Sequence, residues 1–213
     1  MPADCAKNAT FMQQHIVTLD LEGVLVPEIW IAVAEKTGIA ELRRTTRDEP
    51  DYDVLMKGRL KILDQHGLKL SDIQQVISTL RPLPGGKEFL AELRSIVQVI
   101  ILSDTFEQFA RPLMQQLDWP ALFCHRLVVE NDRIVNYQLR QPNQKQKSVA
   151  AFKSLNYRVI AAGDSFNDTA MLIEANIGFF FHAPVAIQKQ FPQFKAVEDY
   201  ADLLALIKSE MAK

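Results

Sequence analysis

Short apolar runs at 15–20, 97–102, 158–162 and 177–181 alternate with stretches of helical period at 86–95, 106–117, 145–155, 168–175 and 199–211. The runs are dense in Val, Ile, Leu, Ala and Phe, as strands covered on both faces are. Strand and helix in alternation predict an α/β fold around a parallel sheet. The stretches 122–130 and 133–139 flank Asn131-Asp132, a turn pair suited to a hairpin.

The region 28–82 breaks this rhythm. It has no strand pattern, only helical ones: 28–37 stopped by Gly38, 52–66 stopped by Gly67, and 71–80 stopped by Pro82. Ser71-Asp72 suits a helix N-terminus. A helical insert of four-helix type, directly after the first strand, is expected to sit as a cap over the strand ends, opening and closing through a hinge at 82–86. This divides the chain into an extension at 1–14, a core at 15–27 and 83–213, and a cap at 28–82. The extension is expected to be flexible and to play no part in the fold.

The chemistry lies where two of the strands end. The first runs into Asp20-Leu21-Glu22-Gly23, the third into Gly163-Asp164-Ser165-Phe166-Asn167-Asp168. Ligands of open α/β sheets bind past the carboxyl ends of strands. Two acidic strand ends side by side would need a cation, and Mg²⁺ takes carboxylate oxygens and water. In the insert, Arg59 is four residues from both Leu55 and Leu63, on the apolar face of the helix 52–66. A guanidinium there needs an anion or an escape to water.

Bulk properties narrow the class. A chain of 213 residues, 48% hydrophobic, supports one sizeable domain with an insertion. A net charge of −2 argues against nucleic acid as a partner. No apolar run nears membrane-spanning length and residues 1–14 lack a signal-peptide pattern, so a cytoplasmic protein is expected. Cys5 and Cys124 give neither metal spacing nor a disulfide framework. His15, His66, His125 and His182 show no ligand spacing, and no function is assigned to them.

Several of these residues carry a family resemblance. Asp20-Leu21-Glu22-Gly23-Val24 resembles the first motif of the haloacid dehalogenase (HAD) superfamily: Asp, any residue, Asp, any residue, Thr or Val. Ser103 at a strand end resembles the second, Lys145 opening a helix the third, and 163–168 the fourth, in its Gly-Asp-x-x-Asn-Asp form. Their order and the helical insert resemble the phosphoserine phosphatase branch. The stretches 20–30, 46–57 and 102–106 are most similar to members that also pass the phosphoryl group to homoserine.

The resemblance implies a Rossmann-like core with a C1-type helical cap, and Mg²⁺-dependent transfer from O-phospho-L-serine to water and homoserine, in amino-acid biosynthesis. It implies Asp20 as nucleophile, forming an aspartyl-phosphate, and Glu22 as general acid and base. Asp20, Glu22, Asp164 and Asp168 are expected at the metal. Ser103, with the following turn, would meet the phosphoryl oxygens, as would Lys145, with Lys147 and Lys153 as rivals. Asn167 would orient the phosphate or that lysine. Glu28 would meet the substrate ammonium and Arg59 its carboxylate. Two departures stand out: Glu22 occupies a place usually held by Asp, and Asp104, beside the substrate, replaces a Gly. A homodimer is the assembly to expect on general grounds.

Overall fold

The computed structural model describes residues 13–46, 48, 49 and 51–213. The expectations for residues 1–12, Cys5 among them, and for Arg47 and Pro50 of the 46–57 run lie outside the described residues.

Among the described residues, seven strands form one sheet in the order β4-β3-β2-β1-β5-β6-β7. They are β1 Gln14–Leu19, β2 Gln98–Phe106, β3 Ala121–Glu130, β4 Arg133–Gln138, β5 Tyr157–Gly163, β6 Ile177–Phe181 and β7 Lys195–Val197. All neighbours pair in parallel except β3 and β4, which form the antiparallel hairpin. Its turn residues Asn131 and Asp132 have φ of 49° and 67°, the left-handed geometry that this pair tolerates. Gln14, expected outside the fold, opens β1 opposite Tyr157. A polar residue at a strand start pairs through its backbone and leaves no apolar signal.

Helices cover both faces. Ile16, Val159 and Ala161 pack with Val149 of α6 (Gln144–Ser154) and with Met171 and Leu172 of α7 (Thr169–Glu174). Val17, Leu19, Ile160 and Ala162 belong to a second, larger cluster. There they join Leu90 of α4 (Gly86–Ile96), Phe109 of α5 (Glu107–Gln116) and Leu203 of α9 (Tyr200–Met211). Alternate residues of each central strand therefore face opposite layers, which is why the runs read as continuously apolar. Strand β7 and helix α8 (Val185–Gln190) were not expected. The strand has three residues, and the helix buries none of its side chains, so neither carries a period.

Among its described residues the insert holds three α-helices, α1 Ile29–Thr37, α2 Tyr52–Gln65 and α3 Leu70–Thr79, with a 3-10 turn at Ala40–Arg43. It falls short of the four-helix expectation. Among the described residues of the 44–51 connection, Asp48 accepts from the Thr45 backbone at 2.8 Å. Asp51 caps α2, accepting from Asp53 and Val54 backbone groups at 2.9 and 3.1 Å. The cap is closed on the core. Trp30 meets Phe109 edge-on with ring centroids 5.4 Å apart. Ser71 binds Asp132 at 2.6 Å, Tyr137 donates to Asp53 at 2.7 Å, and Tyr52 donates to the Asp104 carbonyl at 3.1 Å. The hairpin is thus the strut on which the cap rests.

Candidate active site

Strands β1 and β5 are neighbours, so their carboxyl ends bring Asp20 and Asp164 together. The Asp20 backbone still pairs with Ala162 at 3.0 Å, after which the chain turns. The Leu21 carbonyl accepts from Leu25 and Val26 at 2.8 and 3.0 Å, so the strand does not continue to Glu22. At the apex Gly23 has φ +77°, and a Cβ there would lie 2.4 Å from the Asp164 carboxylate. A Cβ on Gly163 would meet Asp168 at 2.4 Å. Gly163→Ala is therefore expected to destabilise the fold by about 1–3 kcal/mol. It should also lower turnover by displacing Asp168. Chemical denaturation with an activity assay checks both.

Asp20, Asp164 and Asp168 are buried, and each offers an oxygen within 4.8 Å of the others. An all-oxygen set of carboxylates suits a hard cation such as Mg²⁺. Among the described residues the Lys145 ammonium pairs with Asp20 and Asp168 at contact distance. Burial and the Asp168 carboxylate push the Asp20 carboxyl well above its usual range, with Lys145 acting against them. A bound cation would relieve that crowding. Asp168 is heavily engaged already. It accepts from the Asp164 and Ser165 backbones at 3.0 Å each, in the manner of a capping box, and from Lys145 at 2.7 Å. Among the described residues Glu22 lies outside this group of three.

Lys145 opens α6, buried, with Nζ 2.9 Å from Asp20, 2.7 Å from Asp168 and 3.9 Å from Asp104. Burial opposes its charge, but Asp168, Asp20 and Asp104 outweigh that and hold the ammonium well above the usual lysine range. Of its rivals, Lys147 is exposed and Lys153 engages Glu174 at 3.1 Å.

Asp20, Asp164 and Lys145 floor a cavity of about 300 Å³ beneath the cap, lined also by Glu22, Glu28, Arg59, Ser103, Asp104 and Asn167. Asp168 does not line the cavity and reaches it through its contact with Lys145. Glu22 accepts from the Ile29 backbone at 2.9 Å. Burial and nearby Glu28 push its carboxyl up to about 8, against that hydrogen bond and Arg59. Arg59 is buried, donates to the Arg44 carbonyl at 2.7 Å and stacks 4.5 Å from the Trp30 ring centre. Its Nε has no hydrogen-bond partner among the described residues.

Ser103 lies inside β2, which runs on to Phe106, so it does not cap the following helix. Register with β3 is lost between Leu102 and Phe106, which frees this stretch from the ladder. Asn167 donates to Asp104 at 3.3 Å. Burial would raise Asp104, but Lys145 and hydrogen bonds from His125 and Asn167 hold it well below the usual carboxylate range.

Sequence reasoning missed Thr46, Tyr52, Gln144 and His125. Thr46 and Tyr52 line the cavity. Gln144 donates to the Ser103 carbonyl at 2.7 Å. His125 lies 3.5 Å from Asp104. The available signal was Asp104 itself, since a half-buried carboxylate in a mostly apolar strand requires donors. Beside this cavity, and sharing Thr46, Tyr52, Asp104, Lys145, Ser165 and Asn167 with it, opens a larger chamber of about 730 Å³.

Two acidic strand ends and a buried lysine thus meet beneath a helical insert. Residues 14–176 match the haloacid dehalogenase-like hydrolase model, and the chain belongs to that family. It is 66% identical over 190 residues to a phosphoserine phosphatase of Pseudomonas syringae, covering 89% of this chain and 80% of that protein. It is 65% identical over 190 residues to the phosphoserine phosphatase ThrH of Pseudomonas aeruginosa, covering 89% and 93%. A solved phosphoserine phosphatase, described as a phospho-aspartyl intermediate analogue, superposes with TM-score 0.76 at 17% identity, covering 92% of this chain and 99% of that one. That likeness concerns the fold. No helix among the described residues is long and apolar enough to cross a membrane.

Proposed function

We propose that the protein transfers the phosphoryl group of O-phospho-L-serine through an aspartyl-phosphate on Asp20, to water and to homoserine, with Mg²⁺ bound. The carrying observation is the buried group of Asp20, Asp164 and Asp168 with Lys145 upon it, beneath a cavity that also holds Glu28 and Arg59. Asp20 and Asp164 would hold the ion, with Asp168 directly or through water. When bound, Mg²⁺ supplies charge neutralisation to the phosphoryl oxygens.

Asp20 attacks phosphorus in line as the seryl oxygen leaves and takes the proton of Glu22. The carboxylate of Glu22 then accepts the proton of the incoming hydroxyl, whose oxygen attacks phosphorus and frees Asp20. Lys145 and Ser103 meet the phosphoryl oxygens. Glu28 and Arg59 read the ammonium and carboxylate of the amino acid. The Nε of Arg59, buried in this cavity wall without a hydrogen-bond partner among the described residues, supports the second of these roles.

Arg59→Met is expected to raise KM for phosphoserine about 100-fold, while a small generic phosphate ester is hydrolysed at near-native efficiency. Equal loss on both would refute the clamp. Glu22 is one methylene longer than the usual Asp, which disfavours water relative to an alcohol acceptor. Glu22→Asp should therefore raise the ratio of free phosphate to O-phosphohomoserine, and an unchanged ratio would remove the explanation. Chelation by EDTA should stop turnover and excess Mg²⁺ restore it. Added to the metal-free protein, Mg²⁺ should also raise the melting temperature, an effect that Asp164→Asn weakens.

A further inference from the structure

Lys145 has three carboxylates within reach but contacts only two. Its Nζ is 2.9 Å from Asp20 and 2.7 Å from Asp168, yet 3.9 Å from Asp104. Lys145 is buried and the Asp104 side chain is 34% exposed, and an ammonium and a carboxylate at that separation attract each other. Asp104 is held by other donors: Asn167 donates to Oδ2, the oxygen nearer Lys145, at 3.3 Å. The other face of Asp104 meets Gln144 Nε2 at 3.3 Å and His125 Nε2 at 3.5 Å, both on Oδ1. Gln144 is committed more closely to the Ser103 carbonyl, at 2.7 Å.

His125 is the rigid donor of the two. It is buried, and its ring is packed between Tyr52 and Phe106, with centroids 6.3 Å from each. Its Nδ1 accepts the backbone N–H of Arg140 at 3.2 Å. A neutral imidazole that accepts at Nδ1 carries its hydrogen on Nε2, the atom facing Asp104. His125 lines the larger chamber and not the smaller one, while Asp104 lines both. It therefore stands behind Asp104, away from the reacting atoms.

We infer that His125 is a positioning residue: its Nε2–H holds Asp104 off Lys145, so that the ammonium stays on Asp20 and Asp168. This rests on the reading of Lys145 as the cation that meets the phosphoryl group. Without His125, Asp104 closes on Lys145 and draws it from the nucleophile, which slows the chemical step and spares substrate binding.

Three substitutions separate this from a packing role, with p-nitrophenyl phosphate as the probe so that the result does not depend on the amino-acid assignment. His125→Phe keeps the ring and loses the donor, and kcat should fall about tenfold at unchanged KM. His125→Gln can place an amide N–H where Nε2 stood and should recover most of the rate. His125→Asn reaches only the Nδ1 position and should not. In an Asp104→Gly background, His125→Phe should cost nothing further, because the group it restrains is gone. Native kcat in His125→Phe, or the same loss with Asp104→Gly, would overturn the inference. ¹⁵N NMR of histidine-labelled native protein, with the His125 signals assigned from the Gln variant, reads the tautomer without any turnover. The Nε2–H form is expected, and the Nδ1–H form would overturn the inference even if the probe is not hydrolysed.

Discussion

Asp20→Asn is expected to reduce turnover by more than about a thousandfold, because an amide offers no nucleophilic oxygen for the phosphoryl group. The same substitution should not weaken the metal-free fold. Burial and the Asp168 carboxylate disfavour the ionised form of Asp20. A neutral side chain of the same shape removes that penalty, although it also gives up the contact with Lys145 at 2.9 Å. Thermal unfolding without metal should therefore show a melting temperature near or above the native one. A variant that was inactive because it was unfolded would fail this test. Rapid acid quench of the native protein during turnover, followed by peptide mass spectrometry, should find a phosphoryl group on the peptide containing Asp20 and none in the variant.

Lys145→Met should cost about a hundredfold to a thousandfold in kcat, the range for removing a preorganised charge from a developing anion. Here the expected effect on stability is opposite to that of Asp20→Asn. Removing Lys145 leaves Asp20 and Asp168 buried and facing each other without their shared cation. Breaking a buried pair from one side typically costs about 3–5 kcal/mol. Mg²⁺ offers a replacement charge at the same carboxylates, so added Mg²⁺ should raise the melting temperature of Lys145→Met more than that of the native protein. An equal rise in both would mean that Lys145 and the cation do not share this charge. Lys147→Met serves as the control, because Lys147 is exposed.

Much of this site was legible along the chain because its groups sit where a pattern changes. Asp20 and Asp164 follow apolar strands, and parallel pairing of β1 with β5 carries them to one place. Lys145 opens a helix, and Arg59 interrupts an apolar face. What could not be read was the path of the backbone between these points. Gly23 and Gly163 appear in the sequence as ordinary loop glycines, and only the packed carboxylates beside them explain why a methyl group would not fit. The loss of register within β2 likewise has no local signature. Phe106 resembles the start of a helix, whereas tertiary pairing with His125 keeps it in the strand. His125 was set aside because it lacks ligand spacing. Its partner is a carboxylate 21 positions away, brought there by strand pairing rather than by periodicity.

The most direct test of the whole account is a single incubation of purified protein with Mg²⁺ and O-phospho-L-serine, with and without homoserine. Free phosphate and O-phosphohomoserine are measured together, beside the Asp20→Asn control. The account predicts phosphate in both incubations, O-phosphohomoserine only where homoserine is present, and neither product from the variant. Absence of both products from the native protein, or their persistence in Asp20→Asn, would contradict it.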